Sequence, residues 1–144
     1  MSVLTPDRVR IHPGGATRDE ALKEAADVLV AAGAVTADYL QAMHEREKAV
    51  STFMGNGLAI PHGTNDAKDA VLGSALSVVR YDGGVDWDGE RATFVIGIAG
   101  KDGEHLDILS QIAILFSDDD DVARLNAASD PDELYALLAA VNEA

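Results

Sequence analysis

The feature that most constrains the fold is a pair of nearly continuous apolar runs in the middle of the chain, at residues 71–81 and 93–99. Runs without regular polar alternation are typical of strands that are covered on both faces of a sheet. The glycine pair at 83–84 and the Asp-Gly pair at 88–89 predict turns between them. We expect a short edge strand at 85–87, so these runs predict a small sheet that needs helices to cover it.

Segments with helical spacing lie before and after these runs. Thr17 and Glu20 have the spacing of a capping box, and Asp130-Pro131 pairs a cap residue with proline at the first helical position. The acidic residues of 118–121 suit the positive N-terminal end of a helix. The order of elements predicts an α/β or α+β layered domain with helices against a small sheet. Helices are predicted from Thr17 to Gly33, at 36–48, at 106–116, after 118–121 and after Asp130-Pro131.

The composition excludes several classes of function. The chain has 144 residues, with 11 Lys and Arg against 25 Asp and Glu, which gives a formal net charge of −14. This charge argues against binding to duplex nucleic acid or to anionic lipid, and it is compatible with a basic protein partner. The absence of cysteine removes disulfides and thiolate chemistry. Because we see neither an apolar run of about 18 residues nor a secretory signal, we expect a soluble, cytoplasmic protein.

His62 has the most unusual local sequence of the four histidines. It follows a predicted short strand at 58–60 and Pro61, whose fixed φ ends that run, and it precedes Gly63, which permits close backbone approach. This pattern predicts an imidazole on a rigid turn, with glycine amides and the Thr64 hydroxyl available to an anion. The alternative is a histidine that is held in a tight loop by backbone hydrogen bonds and has no chemical role.

His105 begins a predicted amphipathic helix directly after the polar loop 100–104. Backbone amides at a helix N-terminus attract anions, and a histidine there tends to be neutral. The alternative is a partly exposed residue of the first helical turn. His62 and His105 both follow predicted strands, and ligand sites in open α/β sheets favour the ends of strands. This shared position favours a functional role for both imidazoles.

Arg46 lies on the apolar face of the second predicted helix. Its spacing places it in one stripe with Tyr39, Met43 and Val50. A guanidinium in such a stripe either extends its charged end to solvent past the apolar edge or binds an anion. Phosphate suits the second interpretation, because the planar guanidinium donates two hydrogen bonds together.

The remaining histidines carry no predicted chemistry. His12 precedes Pro13-Gly14 and is predicted to be a turn residue, whereas His44 lies opposite the apolar stripe and is predicted to be solvated. No two histidines have the i, i+4 spacing of a helical zinc motif, and neither a P-loop nor a GxGxxG motif is present. We therefore predict no metal and no cofactor.

Two long segments resemble the active-site sequences of a known family. Residues 51–64 (STFMGNGLAIPHGT) and 95–113 (VIGIAGKDGEHLDILSQIA) are similar to the enzyme IIA domains of the phosphoenolpyruvate-dependent sugar phosphotransferase system, of the mannitol/fructose type. Glu45-Arg46-Glu47 resembles the Arg-Glu pair on that family's second helix. The forms Pro-His-Gly-Thr and Glu-His-Leu-x-Ile-Leu look like the mannitol branch. The resemblance covers nearly the whole chain and implies one enzyme IIA domain over residues 1–144.

The resemblance also implies a fold, a mechanism and partners. The fold is an α/β domain whose small mixed β-sheet is flanked by helices on both faces. His62 matches the phosphorylated histidine, His105 the second active-site histidine, which hydrogen-bonds near the phosphate, and Arg46 the arginine that stabilises phosphoryl charge. The phosphocarrier HPr would donate the phosphoryl group, and a cysteine in the IIB domain of a membrane sugar permease would accept it. The protein would be a stand-alone IIA that needs no metal or nucleotide.

The sequence leaves three alternatives open. The sugar is predicted to be mannitol, although fructose or another polyol fits the same family. A regulatory IIA-like module would also be modified on His62, but it would act on a regulator and not on a permease. An interaction domain without chemistry would leave the match at His62, Arg46 and His105 unexplained. The family suggests Nε2 as the nitrogen that carries phosphate.

Overall fold

The helices and strands of the computed structural model lie within residues 3–64, 69–139 and 142, which are the residues that the structure describes. The strands are β1 (Val9–His12), β2 (Gly15–Ala16), β3 (Phe53–Gly55), β4 (Leu58–Ala59), β5 (Ala75–Trp87) and β6 (Glu90–Ala99). The helices are α1 (Arg18–Ala31), α2 (Tyr39–Ala49), α3 (Glu104–Phe116), α4 (Asp119–Ala127) and α5 (Pro131–Leu138), with a short 3-10 helix at Pro6–Arg8.

The six described strands form one mixed sheet in the order β1-β5-β6-β4-β3, and β2 also pairs with β5. β5 and β6 are antiparallel and form its centre, joined through Asp88 and Gly89. Both turn residues have positive φ, 54° and 90°, as a two-residue hairpin turn of the primed type requires. β4 runs parallel to β6. These two strands therefore end at the same edge of the sheet.

Helices cover both faces of this sheet. On β5 and β6, Val79 and Val95 lie in one apolar cluster with residues of α1 and α2. Their neighbours Val78 and Ile96 point to the opposite face and lie in a second cluster with residues of α3, α4 and α5. Alternate residues of each strand therefore belong to two separate cores, one on each face of the sheet. The predicted fold class, an α/β domain with a small mixed sheet between helical layers, is confirmed.

Local capping chemistry fixes where three of the helices begin. The Thr17 side chain accepts a hydrogen bond from the Glu20 amide, and the Glu20 carboxylate accepts one from the Thr17 amide, so the predicted capping box is present. Asp118 caps α4 and Asp130 caps α5 through their side-chain oxygens. These contacts satisfy backbone N–H groups that a helix cannot pair internally.

The prediction of a turn at Gly83-Gly84 is wrong. β5 continues through this pair to Trp87, so 85–87 belongs to the long central strand and does not form a separate edge strand. A Cβ on Gly15 would lie 2.4 Å from the Gly84 carbonyl oxygen. The glycines are therefore needed where β2 approaches β5, because a glycine within a strand lets another backbone come close.

The structure also corrects the account of His12 and refines that of His44. His12 is not a turn residue, because it ends β1 and its Nε2 lies 2.8 Å from Oε2 of Glu24 on α1. The short β1 has only four residues, too few for a clear pattern. His44 is half-buried, and its Nδ1 lies 3.8 Å from a carboxylate oxygen of Asp19.

Candidate functional site

The site lies at the edge of the sheet where β4 and β6 end. His62 follows β4 and forms an isolated parallel bridge with Ile98 of β6. His105 lies in the first turn of α3, which begins five residues after β6 ends. Arg46 reaches the same place from the last turns of α2. The three predicted site residues line one cleft of about 700 Å³, so the structure brings all of them together.

The His62 ring is held in one tautomer by the backbone. Its Nδ1 lies 2.8 Å from the carbonyl oxygen of Ile60. A carbonyl oxygen only accepts hydrogen bonds, so Nδ1 carries the proton and donates it. Nε2 is therefore the unprotonated nitrogen, and its lone pair is available as a nucleophile. Pro61 sets the backbone between the two residues, as its fixed φ predicts.

The charge state of His62 follows from its surroundings. Burial lowers the pKa of its imidazole below the usual 6.5, since a charged ring loses hydration there. The charges of Arg46 and His105 lower that pKa further, while the Ile60 carbonyl and the negative charge of Glu47 act in the opposite direction. The net shift is downward. His62 is thus neutral at physiological pH, which a nucleophilic imidazole requires.

Tyr39 fixes the backbone next to His62. Its hydroxyl accepts a hydrogen bond from the Gly63 amide at 2.8 Å and donates one to the Ile98 carbonyl at 2.7 Å. Burial raises the pKa of the Tyr39 hydroxyl, so the proton that it donates stays in place. A Cβ on Gly63 would lie 2.6 Å from the tyrosine ring, which explains the glycine. The Gly63 amide is consequently not free for an anion, contrary to the expectation from sequence.

The loop before α3 holds His105 against the cleft. The Ser74 hydroxyl accepts a hydrogen bond from the Lys101 amide and donates one to the Glu104 carboxylate. A Cβ on Gly100 would lie 2.3 Å from both the backbone nitrogen and the Cβ of His105. This loop therefore depends on glycine for its approach to the helix. Lys101 itself is exposed and lines the cleft.

Arg46 lies at the end of the apolar stripe that the sequence predicted. Met43 is buried, Arg46 is half-buried, and Val50 is 65% exposed, so the stripe leaves the core at Arg46. The guanidinium donates to the Val50 carbonyl and, within the described residues, forms no ion pair with a carboxylate. Arg10, Arg18, Lys23, Arg80 and Arg124 each have such a partner. Among the described residues, Arg46 therefore brings to the cleft a positive charge that has no ion-pair partner, and the exposed Asp102 lines the same cleft.

Sequence reasoning missed two residues that shape the site. The sequence places Tyr39 on the correct face of α2, but the partners of its hydroxyl lie 24 and 59 residues away and leave no local signal. Glu47 was noted only as part of the Arg-Glu pair, yet it is 6% exposed beneath the site. A carboxylate at a buried helical position is itself a signal, because such groups are buried only with partners.

Within residues 3–64, 69–139 and 142, no group of three or more histidine, cysteine or acidic residues is arranged to hold a metal ion. The same part of the chain contains no helix that is both long and apolar enough to cross a bilayer. The polar side chains that line the cleft are those of Tyr39, Arg46, His62, Thr64, Lys101, Asp102 and His105.

The fold and the site define a class of protein, in which an α/β domain places a neutral histidine and an arginine together in one open cleft. The family model described as "Phosphoenolpyruvate-dependent sugar phosphotransferase system, EIIA 2" matches residues 2–141. The chain belongs to this family, and the resemblance found in the sequence is confirmed.

Relatives and solved structures agree with this assignment. The mannitol-specific phosphotransferase enzyme IIA component of Staphylococcus aureus strain Mu50 is 52% identical over 132 residues, which cover 92% of each chain. The protein of the same name from Halalkalibacterium halodurans is 46% identical over 143 residues and 99% of each chain. A solved complex of enzyme IIA mannitol with phosphorylated enzyme IIB mannitol from Escherichia coli contains a chain that is 35% identical, with a TM-score of 0.86. That match covers 94% of this chain and 96% of the other.

Proposed function

We propose that this protein is a cytoplasmic enzyme IIA of the mannitol type, which carries a phosphoryl group on Nε2 of His62. HPr, phosphorylated on a histidine, is the donor, and a cysteine of a IIB domain is the acceptor. The observation that carries the proposal is the hydrogen bond from His62 Nδ1 to the Ile60 carbonyl, because it leaves Nε2 as the nucleophile in the cleft.

The first transfer is a direct exchange between two imidazoles. The Nε2 lone pair of His62 forms the new N–P bond as the P–N bond on the donor histidine breaks. The bonding pair returns to the donor ring, which keeps a proton on its other nitrogen and leaves as neutral imidazole. Because the transition state of phosphoryl transfer is loose, positioning and charge stabilisation supply most of the catalysis.

Arg46 and His105 have separate roles in this scheme. The Arg46 guanidinium offers parallel N–H donors to the phosphoryl oxygens and neutralises their charge. His105 hydrogen-bonds to the phosphoryl group from the N-terminal turn of α3, where the helix dipole favours an anion. Lys101 at the same end of the cleft adds positive charge.

The second transfer, from His62 to the acceptor cysteine, depends on the same hydrogen bond between His62 Nδ1 and the Ile60 carbonyl. While His62 carries phosphate, the Ile60 carbonyl favours retention of the Nδ1 proton. A ring that keeps this proton leaves phosphorus as neutral imidazole when a cysteine thiolate attacks. The thiolate forms the S–P bond, the N–P electron pair returns to Nε2, and His62 regains its starting state.

The choice of sugar and partner follows the relatives. Mannitol is favoured because the relatives with 52% and 46% identity are mannitol-specific IIA components. A IIB domain is favoured as acceptor because the solved Escherichia coli chain at 35% identity is in complex with phosphorylated IIB. The acidic surface, with net charge −14, suits a donor protein with a basic face, since complementary charge speeds encounter.

Intact-mass spectrometry tests the proposal. The protein is incubated with phosphoenolpyruvate, enzyme I and HPr at neutral to alkaline pH, beside a reaction without HPr and a His62→Ala variant. We expect one added phosphoryl group that requires HPr, is lost in acid and is absent from His62→Ala. Phosphate uptake by a folded His62→Ala protein would refute the assignment of His62. Addition of a purified mannitol IIB domain should then remove the phosphate, whereas retention would favour a regulatory role.

A further inference from the structure

Glu47 is a buried acidic residue directly beneath the site. It is 6% exposed, on the face of α2 that packs toward the sheet. Its Oε2 accepts hydrogen bonds from the Thr52 amide at 3.2 Å and from the indole N–H of Trp87 at 3.3 Å. Its Oε1 accepts one from the Thr52 hydroxyl. Three donors therefore converge on this one carboxylate, which makes its burial tolerable.

Two of these bonds fix the chain segment that follows α2. The carbonyl oxygen of Thr52 accepts a hydrogen bond from the Ile60 amide at 3.1 Å. The carbonyl of Ile60 in turn accepts the Nδ1 proton of His62 at 2.8 Å. Glu47 is thus connected to His62 through Thr52 and Ile60.

The same segment also holds the arginine. The guanidinium of Arg46 donates to the carbonyl of Val50, two residues before Thr52. The Val50 carbonyl orients Arg46 and the Ile60 carbonyl orients His62. Both carbonyls therefore depend on residues 50–60 keeping one conformation. Trp87 is fully buried at the end of the central strand β5, so its indole N–H connects the carboxylate to the sheet.

We propose that Glu47 is a positioning residue for phosphoryl transfer, which holds His62 and Arg46 in their reactive geometry through Thr52 and Val50. The inference rests on the proposed function of His62. Glu47 does not touch the reacting atoms, and it acts through the backbone. Loss of its side chain releases segment 50–52, which lets the Ile60 carbonyl move away from Nδ1 of His62 and frees the ring to adopt the other tautomer.

Two substitutions at Glu47 distinguish the effect of its hydrogen bonds from the effect of its negative charge. Glu47→Ala removes all three acceptor contacts. Glu47→Gln retains three hydrogen bonds to the same partners. Its amide oxygen accepts from the Thr52 amide and from the Trp87 indole, and its NH2 group donates to the Thr52 hydroxyl. The matched control is Leu125→Ala in α4, which deletes a comparable buried side chain on the opposite face of the sheet.

The first measurement is the rate of phosphate acceptance from phospho-HPr, at a temperature at which every variant is folded. We expect Glu47→Ala to slow acceptance by about ten- to a hundredfold, in line with the cost of small misplacements in active sites. Glu47→Gln and Leu125→Ala should retain rates close to that of the unchanged protein. Equal rates for Glu47→Ala and Leu125→Ala would overturn the proposal.

The second measurement is the tautomer of His62, read from the ¹⁵N NMR signals of its ring. In the unchanged protein Nδ1 should be protonated and Nε2 unprotonated, whereas Glu47→Ala should populate the Nε2–H form and Leu125→Ala should not. An unchanged His62 tautomer in Glu47→Ala would also overturn the proposal. If Glu47→Ala does not fold, Thr52→Val removes only the hydroxyl contact and should shift rate and tautomer in the same direction.

These two measurements distinguish failure of the inference from failure of the proposed function. If the unchanged protein accepts no phosphate from an active HPr, the proposed function fails, and the tautomer measurement still tests Glu47. If the unchanged protein accepts phosphate and the Glu47→Ala variant behaves as the Leu125→Ala control, only the inference fails.

Discussion

Tyr39→Phe isolates the contribution of one hydroxyl to the site. The ring stays, so the packing of α2 against Gly63 and the sheet is retained. The variant loses the hydroxyl that lies between the Gly63 amide and the Ile98 carbonyl, at 2.8 and 2.7 Å. These two backbone groups lie at the parallel bridge between His62 and Ile98, so the change acts directly on the backbone that carries the proposed nucleophile, His62.

The size of the effect follows from the hydrogen bonds lost. Each net hydrogen bond contributes about 1 kcal/mol, so loss of both should lower the free energy of unfolding by about 2 kcal/mol. For a domain of about 150 residues this corresponds to a fall in Tm of roughly 4–8 °C. The Gly63 amide then lacks a partner, and the turn regains one by moving toward Ile98. That movement displaces His62, so the rate of phosphate acceptance should fall as well.

Urea denaturation gives the free energy of unfolding, and the HPr-dependent phosphorylation assay gives the rate. Tyr135→Phe in α5 is the control, because its hydroxyl accepts a long hydrogen bond of 3.4 Å from Asn142 and its ring packs against the core on the other face of the sheet. We expect Tyr135→Phe to match the unchanged protein closely in both measurements. A Tyr39→Phe protein with unchanged stability and rate would show that the hydroxyl does not hold the His62 turn.

Two further predictions concern His62 and Arg46. Burial lowers the pKa of His62 below 6.5, so the unfolded chain binds the proton first as pH falls. Stability should decline as pH falls below about 6.5, where the unfolded chain begins to bind the proton, and His62→Gln should remove that part of the slope in pH-dependent denaturation. Phosphate acceptance should decline only at lower pH, because the pKa of folded His62 lies below 6.5. Arg46→Ala should slow acceptance on the order of a hundredfold, by analogy with loss of one charge-stabilising donor, while the exposed control Lys48→Ala should not. An unchanged rate with a large fall in Tm for Arg46→Ala would mean that Arg46 serves packing alone.

Helix starts were predictable because their signals are local. Thr17 and Asp130 each act within a few residues, and the structure shows the capping contacts that these residue types predict. The strand-end position of His62 and His105 was also predictable, because an apolar run that stops at a glycine or proline marks the strand end. The convergence of both histidines then follows from β4 and β6 being parallel.

The remaining features depend on contacts between distant residues. Gly83-Gly84 resembles a turn in sequence, and only the close approach of β2 at Gly15 shows that it is a packing requirement within a strand. The partner of His12 is a carboxylate on α1, and the partners of Glu47 lie on β5 and after α2. Such pairings are set by the assembled fold and leave no periodic pattern along the chain.

The net negative charge of this protein affects which phosphorylated molecules approach the cleft. With a net charge of −14, the surface repels small phosphorylated anions and lowers their concentration nearby. Salt screens this repulsion and the attraction of the cleft cations alike beyond about 8 Å in physiological conditions, so both act close to the surface. If the phosphoryl group arrives on a protein with a basic face, as proposed, the net charge of −14 favours the approach of that protein over the approach of free phosphate esters. The proposed phosphoryl transfer would then gain selectivity for a protein donor from the overall charge as well as from the cleft itself.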